Sequence, residues 1–381
     1  MGLVVASRTR FLRFSTRKRQ PCYSRIRFTD VNEVEKLTRE LVRTPSHEDE
    51  TEAGDLIEGW LRDETDAGVE RDDAGNVVAR RGDAELALVG HHDTVPPADG
   101  QVKNGAPTVE KRDGRLYGRG TADMKGALAA GMVAFRDADT SDVGFASFVG
   151  EESGGVGARH ATGNGFVPER AVVVEGSTGY SSPGAFDVAV AHRGRREVRG
   201  VARGERGHAG DADDDGNPVY AAVDGINQIR RYESPETCPE IDGEEVSLEG
   251  TATVTGVRTS DEATNVTPSR CAFTVDERTV PEGSLDLETV GVETEVVGEM
   301  PPMVCDDDGF AREVRETARE TGASEYVAKP HATDAGWLAS AGTSTVVCGP
   351  AEQGEAHTDG ESVDLGALVR SERVYRAVLE E

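Results

Sequence analysis

Apolar residues along the chain first follow a helical spacing and then form short continuous runs. Val34, Leu37 and Leu41, followed by a turn, predict an amphipathic helix, and two further helices are predicted over residues 52–61 and 124–135. Five apolar runs, each bounded by glycine or polar residues, have the length of strands covered on both faces: residues 76–79, 86–90, 144–150, 171–174 and 345–348. Alternating strands and helices predict an α/β sandwich with a mostly parallel sheet.

The middle of the chain has a different pattern. Its segments predict, in order, an alternating stretch rich in arginine, a helix and two strands of a half-exposed sheet: residues 187–201, 217–231, 250–257 and 269–275. This order is typical of a small α+β unit inserted into a larger domain. The predicted boundaries are residues 29–186 and 301–381 for the two parts of the larger domain, and residues 187–300 for the insert.

Charge is strongly unbalanced in this chain. The 381 residues, enough for two domains, include 71 acidic and 42 basic residues, which give a formal net charge of −29. Excess carboxylates keep a surface hydrated and self-repelling, and salt screens the repulsion, so the composition predicts a salt-adapted protein. The same charge argues against nucleic acid and anionic membranes as partners of the main body.

The first 28 residues are the exception, because they carry eight Lys or Arg and no acidic residue. They could be a targeting peptide, a nucleic-acid-binding arm, or an unstructured extension unrelated to function. No apolar segment of signal-peptide length follows the basic residues, and no small-residue cleavage site is present. We therefore favour the extension.

Cellular location is predicted from the cysteines and from hydropathy. The five cysteines are odd in number and form no Cys-x-x-Cys pair, which argues against a disulfide framework or a structural zinc knuckle. No apolar run is long enough to cross a bilayer. The sequence therefore predicts a soluble, cytoplasmic protein in a reducing compartment.

Side chains that can bind metals follow the predicted strands. His91 and Asp93 end one strand and face the same way, because strand side chains alternate, so His91 can bind a metal while Asp93 hydrogen-bonds behind it. The acids and the histidine that follow the later strands are Glu151, Glu152, Glu175 and His357. In an open α/β sheet these strand ends converge on one crevice, which predicts a metal site.

Asp123 adds a further carboxylate from a glycine-rich turn, residues 117–126. The turn is not a phosphate loop, because Gly-x-x-x-x-Gly-Lys-Ser/Thr is absent and an acid stands where an anion would be held. Imidazole and carboxylate ligands suit zinc, with cobalt and manganese as alternatives. Five ligands are enough for two ions if one carboxylate bridges them.

These segments resemble, in order, the metal-binding signature of a family of dinuclear zinc hydrolases. The family includes acetylornithine deacetylase, succinyl-diaminopimelate desuccinylase, aminoacylase and carboxypeptidase, and the resemblance extends over residues 31–366. It implies a three-layer αβα catalytic domain with an inserted ferredoxin-like lid and dimerisation domain. The metal ligands that it implies are His91 and Glu175 for one ion, Glu152 and His357 for the other, and Asp123 as the bridge. One departure is Val174-Glu175-Gly176, where relatives usually have Gly-Glu-Pro.

The resemblance also implies roles in catalysis and substrate binding. Glu151 is implied to be the general base and Asp93 the acid behind His91. His208 is implied to donate to the oxyanion in a neighbouring subunit's site, which predicts a homodimer through residues 187–300. The residues implied to bind substrate are Asn265 and Arg278, as a clamp for its carboxylate, and Thr333 and Asp334, as a turn that lines the site.

The implied activity is hydrolysis of the amide bond of an N-acylated amino acid. The substrate would be an acylated diamino acid such as N-acetylornithine or N-succinyl-diaminopimelate, or lysine or ornithine attached to a carrier protein, in amino-acid biosynthesis. A carboxypeptidase or dipeptidase of the same architecture is the alternative, because the same ligands serve both reactions. A non-catalytic binding protein is a third interpretation, disfavoured because the ligands and the base are all present.

Overall fold

The computed structural model describes residues 28–211 and 216–381. The predicted extension, residues 1–28, therefore lies outside the described residues except for Phe28. The helices are α1 Phe28–Arg43, α2 Thr51–Glu64, α3 Gly126–Asp137, α4 Val156–Gly163, α5 Pro218–Ile229, α6 Asp308–Arg319, α7 Ala335–Ser340 and α8 Leu365–Leu379. In this part of the chain, no helix is long and apolar enough to cross a membrane.

The strands are numbered in chain order and belong to two larger sheets and several short hairpins. Those before the insert are β1 Gly68–Arg71, β2 Val77–Arg80, β3 Leu86–His91, β4 Val102–Lys103, β5 Ala106–Pro107, β6 Glu110–Arg112, β7 Arg115–Tyr117, β8 Val143–Phe148, β9 Arg170–Val173 and β10 Val188–His192. The later strands are β11 Arg195–Arg203, β12 Gly207–His208, β13 Glu236–Thr237, β14 Glu240–Ile241, β15 Glu244–Glu245, β16 Leu248–Glu249, β17 Thr251–Thr259, β18 Val266–Thr267, β19 Arg270–Arg278, β20 Glu293–Met300, β21 Met303–Val304, β22 Tyr326–Lys329, β23 Ser344–Val347 and β24 Ser362–Asp364.

The large sheet has nine strands in the order β1-β2-β8-β3-β9-β23-β10-β21, with β22 also paired to β10. The four central strands, β8, β3, β9 and β23, are mutually parallel. All five apolar runs of the sequence are strands of this sheet, as predicted. Because the central strands are parallel, their carboxyl ends lie along one edge, and the predicted ligands follow from those ends.

Helices cover both faces of the large sheet. One face packs against α1, α3, α6 and α8 around Leu88, Val172 and Phe135, and the other packs against α4 and α7 around Val89, Phe148 and Leu338. Since consecutive strand residues face opposite cores, both faces exclude water, which explains why these strands read as unbroken apolar runs. The predicted αβα sandwich is confirmed.

The insert is a four-stranded antiparallel sheet in the order β17-β19-β11-β20, with α5 packed on one face. Phe273, Val198 and Ile229 are at the centre of its core. Along β19 buried positions alternate with more exposed ones, as expected of a sheet with one covered face. Helix α5 begins where Asn217 accepts a hydrogen bond from the amide of Val219 and Pro218 takes the first turn.

Strand pairing bears on the boundaries of the insert. The predicted insert starts at residue 187, but β10 pairs with β21, β22 and β23 of the large sheet, and the insert's own sheet begins with β11 at Arg195. The sheet pairing thus favours a boundary near residue 193. The division into domains, and the role of residues 187–300 as a lid and dimerisation domain, stay predictions.

A hairpin of the insert, β14 and β15, reaches back to the larger domain. Asp242 at its tip pairs with Arg312 and Arg315 of α6, and Arg315 also donates to Glu244 Oε1 at 2.6 Å. The Arg315 guanidinium lies over the ring of Tyr326, 3.6 Å from its centroid. We call this hairpin, residues 240–245, the clasp. It joins the two sheets through contacts that are separate from the chain crossings.

Candidate active site

Asp123 connects the two histidines of the site. Its Oδ1 lies 3.2 Å from Nε2 of His91, and its Oδ2 lies 3.1 Å from Nε2 of His357. His357 Nε2 is also 2.9 Å from Glu152 Oε1. One ligand atom each of Asp123, Glu152 and His357 lie within 4.8 Å of one another, a spacing that one metal ion can bridge. The structure therefore brings together four of the five predicted ligands.

Asp93 positions both His91 and the loop that carries the two glutamates. Its Oδ1 lies 3.1 Å from Nδ1 of His91 and also accepts a hydrogen bond from the amide of Glu151 at 3.1 Å. Its Oδ2 accepts from the amide of Glu152 at 3.0 Å. Asp93 thus acts behind His91, and it also fixes the backbone of both acids.

A close approach at Gly157 holds the same loop against β2. A Cβ atom there would lie 2.3 Å from Asn76 Oδ1 and 2.5 Å from the carbonyl oxygen of Val149. Asn76 in turn accepts from the amide of Val149 at 3.0 Å and donates to the carbonyl of Gly157 at 3.0 Å. Only glycine fits this position without moving the loop.

Glu175, the fifth predicted ligand, has a different neighbour. Its Oε2 accepts a hydrogen bond from Lys329 Nζ at 2.6 Å, and both side chains are buried. Its Oε1 is buried and has no hydrogen-bond partner among the described residues. An unsatisfied carboxylate oxygen beside other metal-ligand types fits a cation, because buried polar atoms in folded proteins are otherwise satisfied.

The electrostatics of the site favour bound positive charge. Burial lowers the pKa of His91, but hydrogen bonds to Asp123 and Asp93 outweigh it and raise this pKa well above its usual value. Hydrogen bonds to Asp123 and Glu152 raise the pKa of His357 to about 10. Burial, and next the charge of Glu175, raise the pKa of Glu151 well above its usual value. Without metal, the excess of carboxylates is balanced by protons and by Lys329.

A cavity of about 520 Å³ opens onto these groups. Its wall combines the acids of the site with basic and aromatic side chains. The residues that matter below are Asp123, Glu151, Glu152, Glu175, Tyr180, Arg195, Arg278, Lys329, His331 and His357. The cavity has the size of a small-molecule site.

The predicted substrate residues are distributed unevenly around this cavity. Arg278 lines it, and its Nε donates to Asp276 Oδ1 at 2.7 Å. His208 and Asn265 are exposed on the insert, where the carbonyl of Asn265 accepts from the amide of Ala209, and they are not among the residues that line the cavity. A role for these two in a neighbouring subunit's site stays a prediction.

The structure does not support the predicted site-lining role of Thr333 and Asp334. Both are buried, at 0% and 1% exposure, and Thr333 Oγ1 lies 3.1 Å from His192 Nε2. The wall at this point is formed by His331 and Ala332 instead. The turn was placed correctly in the site region, but the chain enters α7 immediately afterwards and its polar side chains point into the protein.

Sequence reasoning missed three residues that position the site. Arg119 and Glu361 form a buried ion pair, and Glu361 Oε1 accepts hydrogen bonds from the amides of Ala122 and Asp123 at 3.0 and 3.2 Å. Lys329 is the third. Each pair joins segments more than 150 residues apart, so no local pattern could have revealed it; the signal that was present is a charged residue inside or beside an apolar run.

The model of the Peptidase family M20/M25/M40 matches residues 87–381, more than three quarters of the chain. The chain belongs to this family. The M20/M25/M40 chain is accordingly a metal-dependent amide hydrolase, as the sequence predicted. Its matched region includes all five predicted metal ligands and the predicted base.

Similar proteins include both deacylases and peptidases. Acetylornithine deacetylase of Myxococcus xanthus is 30% identical over 343 residues, 82% of this M20/M25/M40 chain and 85% of that protein. A protein of Aeropyrum pernix named as a LysW-lysine/LysW-ornithine hydrolase is 27% identical over 368 residues, 90% of this chain and 94% of that protein.

Solved structures confirm the fold. Aminopeptidase PepT from Bacillus cereus superposes with a TM-score of 0.72 at 20% identity, covering 92% of this chain and 98% of that chain. The M20 family metallo-carboxypeptidase Sso-CP2 from Sulfolobus solfataricus has a TM-score of 0.69 at 16% identity, covering 91% and 98%. Both likenesses extend over the catalytic domain and the insert.

Proposed function

We propose that the protein removes the acyl group from an N-acylated amino acid in amino-acid biosynthesis. The observation that carries this proposal is the arrangement of His91, Asp123, Glu152 and His357 in contact beside Glu151 on one cavity wall. Support for the substrate class comes from the two relatives just described, one named as a deacetylase of acetylornithine and one as a hydrolase of LysW-bound lysine or ornithine.

Two divalent ions fit the ligand set. His91 and Glu175 would hold one, Glu152 and His357 the other, and Asp123 would bridge them, with zinc as the ion that imidazole and carboxylate ligands suit best and cobalt or manganese as substitutes. When bound, such ions supply Lewis-acid activation of the attacking water and of the amide carbonyl. The unsatisfied Oε1 of Glu175 and the close group formed by Asp123, Glu152 and His357 both support this assignment.

The remaining steps belong to the chain's own side chains. Glu151 accepts the proton of the attacking water and returns it to the leaving amine, and the raised pKa of its carboxyl suits a group that has to hold that proton in between. Arg278, a fork-shaped cation at the cavity, binds the carboxylate of the amino acid, with Asn265 as its partner in the clamp.

His208 donates a hydrogen bond to the oxyanion from a partner subunit. A homodimer through residues 187–300 is therefore part of the proposal. It is supported by exposed apolar side chains on the insert, Tyr220 and Val223 on α5 and Val257 on the edge strand β17. Because burying such side chains stabilises an interface, these two elements are where the partner would pack.

A cytoplasmic location completes the proposal. The cysteines of the described residues, Cys238, Cys271, Cys305 and Cys348, are free thiols, and three of the four are buried. Free thiols are the usual state in a reducing compartment.

A substrate panel tests the reaction. Purified protein loaded with zinc is assayed on N-acetylornithine, N-succinyl-diaminopimelate, and a set of dipeptides and tripeptides, with Glu152→Gln as the control for metal-dependent turnover. We expect release of acetate or succinate at a kcat/KM well above that for any peptide. Hydrolysis of peptides without release of acyl groups would instead identify a carboxypeptidase or dipeptidase, a reading that the fold of PepT and Sso-CP2 keeps open.

A further inference from the structure

The cavity contains one cation that the proposed reaction does not use. Of the basic side chains in its wall, Arg195 and Arg278 both contact Asp276, at 3.0 and 2.7 Å, and Arg278 has a proposed role in binding substrate. Lys329 contacts Glu175 instead. An ammonium group bonded to a metal ligand needs an explanation, because it carries the same charge sign as the ion.

Lys329 is fixed in place by the large sheet. It ends β22, whose register with β10 pairs it with His192, and its carbonyl accepts a hydrogen bond from the amide of Arg193 at 3.2 Å. The side chain is 7% exposed. Burial lowers the pKa of Lys329, but the charge of Glu175 outweighs it and keeps the pKa above its usual value, so the group is charged. Lys329 therefore holds a permanent positive charge at a defined point of the cavity wall.

The contact divides the two oxygens of Glu175 between two tasks. Lys329 Nζ takes Oε2 at 2.6 Å, whereas Oε1 is buried without a partner. A carboxylate held in this way offers a metal one oxygen in a fixed orientation. The bound cation also draws electron density from the carboxylate, so the oxygen that remains is a weaker donor than a free carboxylate would be.

The second group of ligands has no such counter-charge. Asp123, Glu152 and His357 contact one another, and the items of charge that face them are further carboxylates and His91. Of the two proposed metal positions, the one served by Glu175 thus has a lysine bonded to a ligand, and the other does not. Like charges repel strongly where solvent is excluded, so the two positions have unequal affinities.

We propose that Lys329 is a positioning residue that holds Glu175 by one oxygen and lowers the metal affinity of the position Glu175 serves, so that this position fills second. The proposal rests on the metal assignment of the proposed function. It adds a cause for unequal filling that lies in this chain's own Lys329.

Zinc titration of the metal-free protein, followed by calorimetry or equilibrium dialysis, tests the proposal. The wild type is expected to bind zinc in a tighter and a weaker step. Lys329→Gln keeps a hydrogen-bond donor to Glu175 but removes the charge, and it should tighten the weaker step by roughly 10- to 100-fold, the range over which groups behind metal ligands act. The tighter step should not change. Lys111→Met, at an exposed lysine bonded to Glu35, is the matched control and should leave both steps unaltered.

Two ligand variants separate this inference from the proposed function. Glu175→Gln should remove the weaker step alone, and Glu152→Gln should weaken the tighter step. If both steps survive Glu175→Gln, the metal assignment itself fails. If Glu175→Gln behaves as expected but Lys329→Gln leaves the weaker step unchanged or makes it weaker, only the role of Lys329 is overturned. Should Lys329→Gln not fold, loss of the tighter step, rather than the weaker one, in Glu175→Gln would still contradict the predicted order.

Discussion

Glu151 and Glu152 are neighbours in the chain with different surroundings. The carboxylate of Glu152 lies 2.9 Å from His357 Nε2, which commits it to the group of metal ligands. Burial, followed by the charge of Glu175, raises the pKa of Glu151. Asp93 holds the amides of both residues, so the two side chains diverge from a fixed stretch of backbone. One acid is placed to bind a cation and its neighbour to carry a proton.

Replacing the proposed base tests this separation. Glu151→Gln should retain the zinc content of the wild type and lower kcat by ~10² to 10⁴, the usual contribution of a general base. Zinc content is measured by elemental analysis and kcat on the best substrate of the panel. Glu58→Gln, at an exposed glutamate paired with Arg62, is the control and should behave as the wild type. A zinc-replete Glu151→Gln protein with unimpaired turnover would reject this role for Glu151.

The predictions at single residues depended on what each side chain contacts. Six residues could be placed in the site from their positions after apolar strands: His91, Asp93, Glu151, Glu152, Glu175 and His357. Thr333 and Asp334 could not be placed correctly, because a sequence does not reveal which side of a turn faces a cavity. Lys329 was not predicted for another reason: its partner, Glu175, is 154 residues away in the chain.

At the scale of elements, the glycine-rich turn before α3 depends on a distant glutamate. Glu361 is fully buried, pairs with Arg119, and accepts from the amides of Ala122 and Asp123. The turn therefore obtains its hydrogen-bond partner from the segment after His357. This contact couples the backbone of the bridging aspartate to the loop of the last ligand.

Removing that carboxylate should destabilise the protein strongly. Glu361→Ala leaves the buried Arg119 guanidinium without a partner, and we expect a loss of about 3 to 5 kcal/mol in the free energy of unfolding. Glu352→Ala, in the same segment, removes a partly exposed carboxylate paired with Arg115 and should cost no more than about 1 kcal/mol. Urea denaturation of the metal-free proteins measures both. Equal losses in the two variants would show that the buried pair has no special weight.

Elements were predictable from the sequence where burial is uniform. The central strands are buried on both faces, so their apolar runs marked them with errors of a few residues at most. Strands β13 to β16 each have two residues and were not predicted, because two residues are too few to show any alternation. The membership of β10 was also missed: its sequence continues into β11, and the change of sheet between them is decided by long-range pairing.

At the scale of the whole molecule, net charge should govern stability. A formal charge of −29 implies self-repulsion that acts over the Debye length, ~10 Å at 0.1 M salt and ~3 Å at 1 M. The free energy of unfolding should therefore rise as KCl increases from 0.1 to 2 M. Chemical denaturation by urea at each salt concentration measures it, since urea adds no charge. A free energy of unfolding that falls over this range would contradict the expected salt adaptation.

Mixing two inactive variants tests whether subunits share a site. His208→Ala lacks the proposed oxyanion donor, and Glu151→Gln lacks the base. If His208 acts in the partner's site, each mixed dimer has one complete site, and random exchange of subunits should restore about a quarter of wild-type activity. Two variants that stay inactive after exchange, with mixed dimers demonstrated by mass spectrometry, would place His208 outside the partner's site. Re-mixing each variant with itself is the control.

The clasp determines how the insert could move. It fixes the insert to α6 through Asp242, close to the end of the sheet at which the chain enters and leaves. His208 follows the opposite end of β11, a nine-residue strand about 30 Å long. The sheet is thus a lever with its pivot at the clasp, and a turn of only about 10° would sweep His208 through about 5 Å, the scale of one strand spacing. Small adjustments at the pivot are magnified where the proposed donor lies.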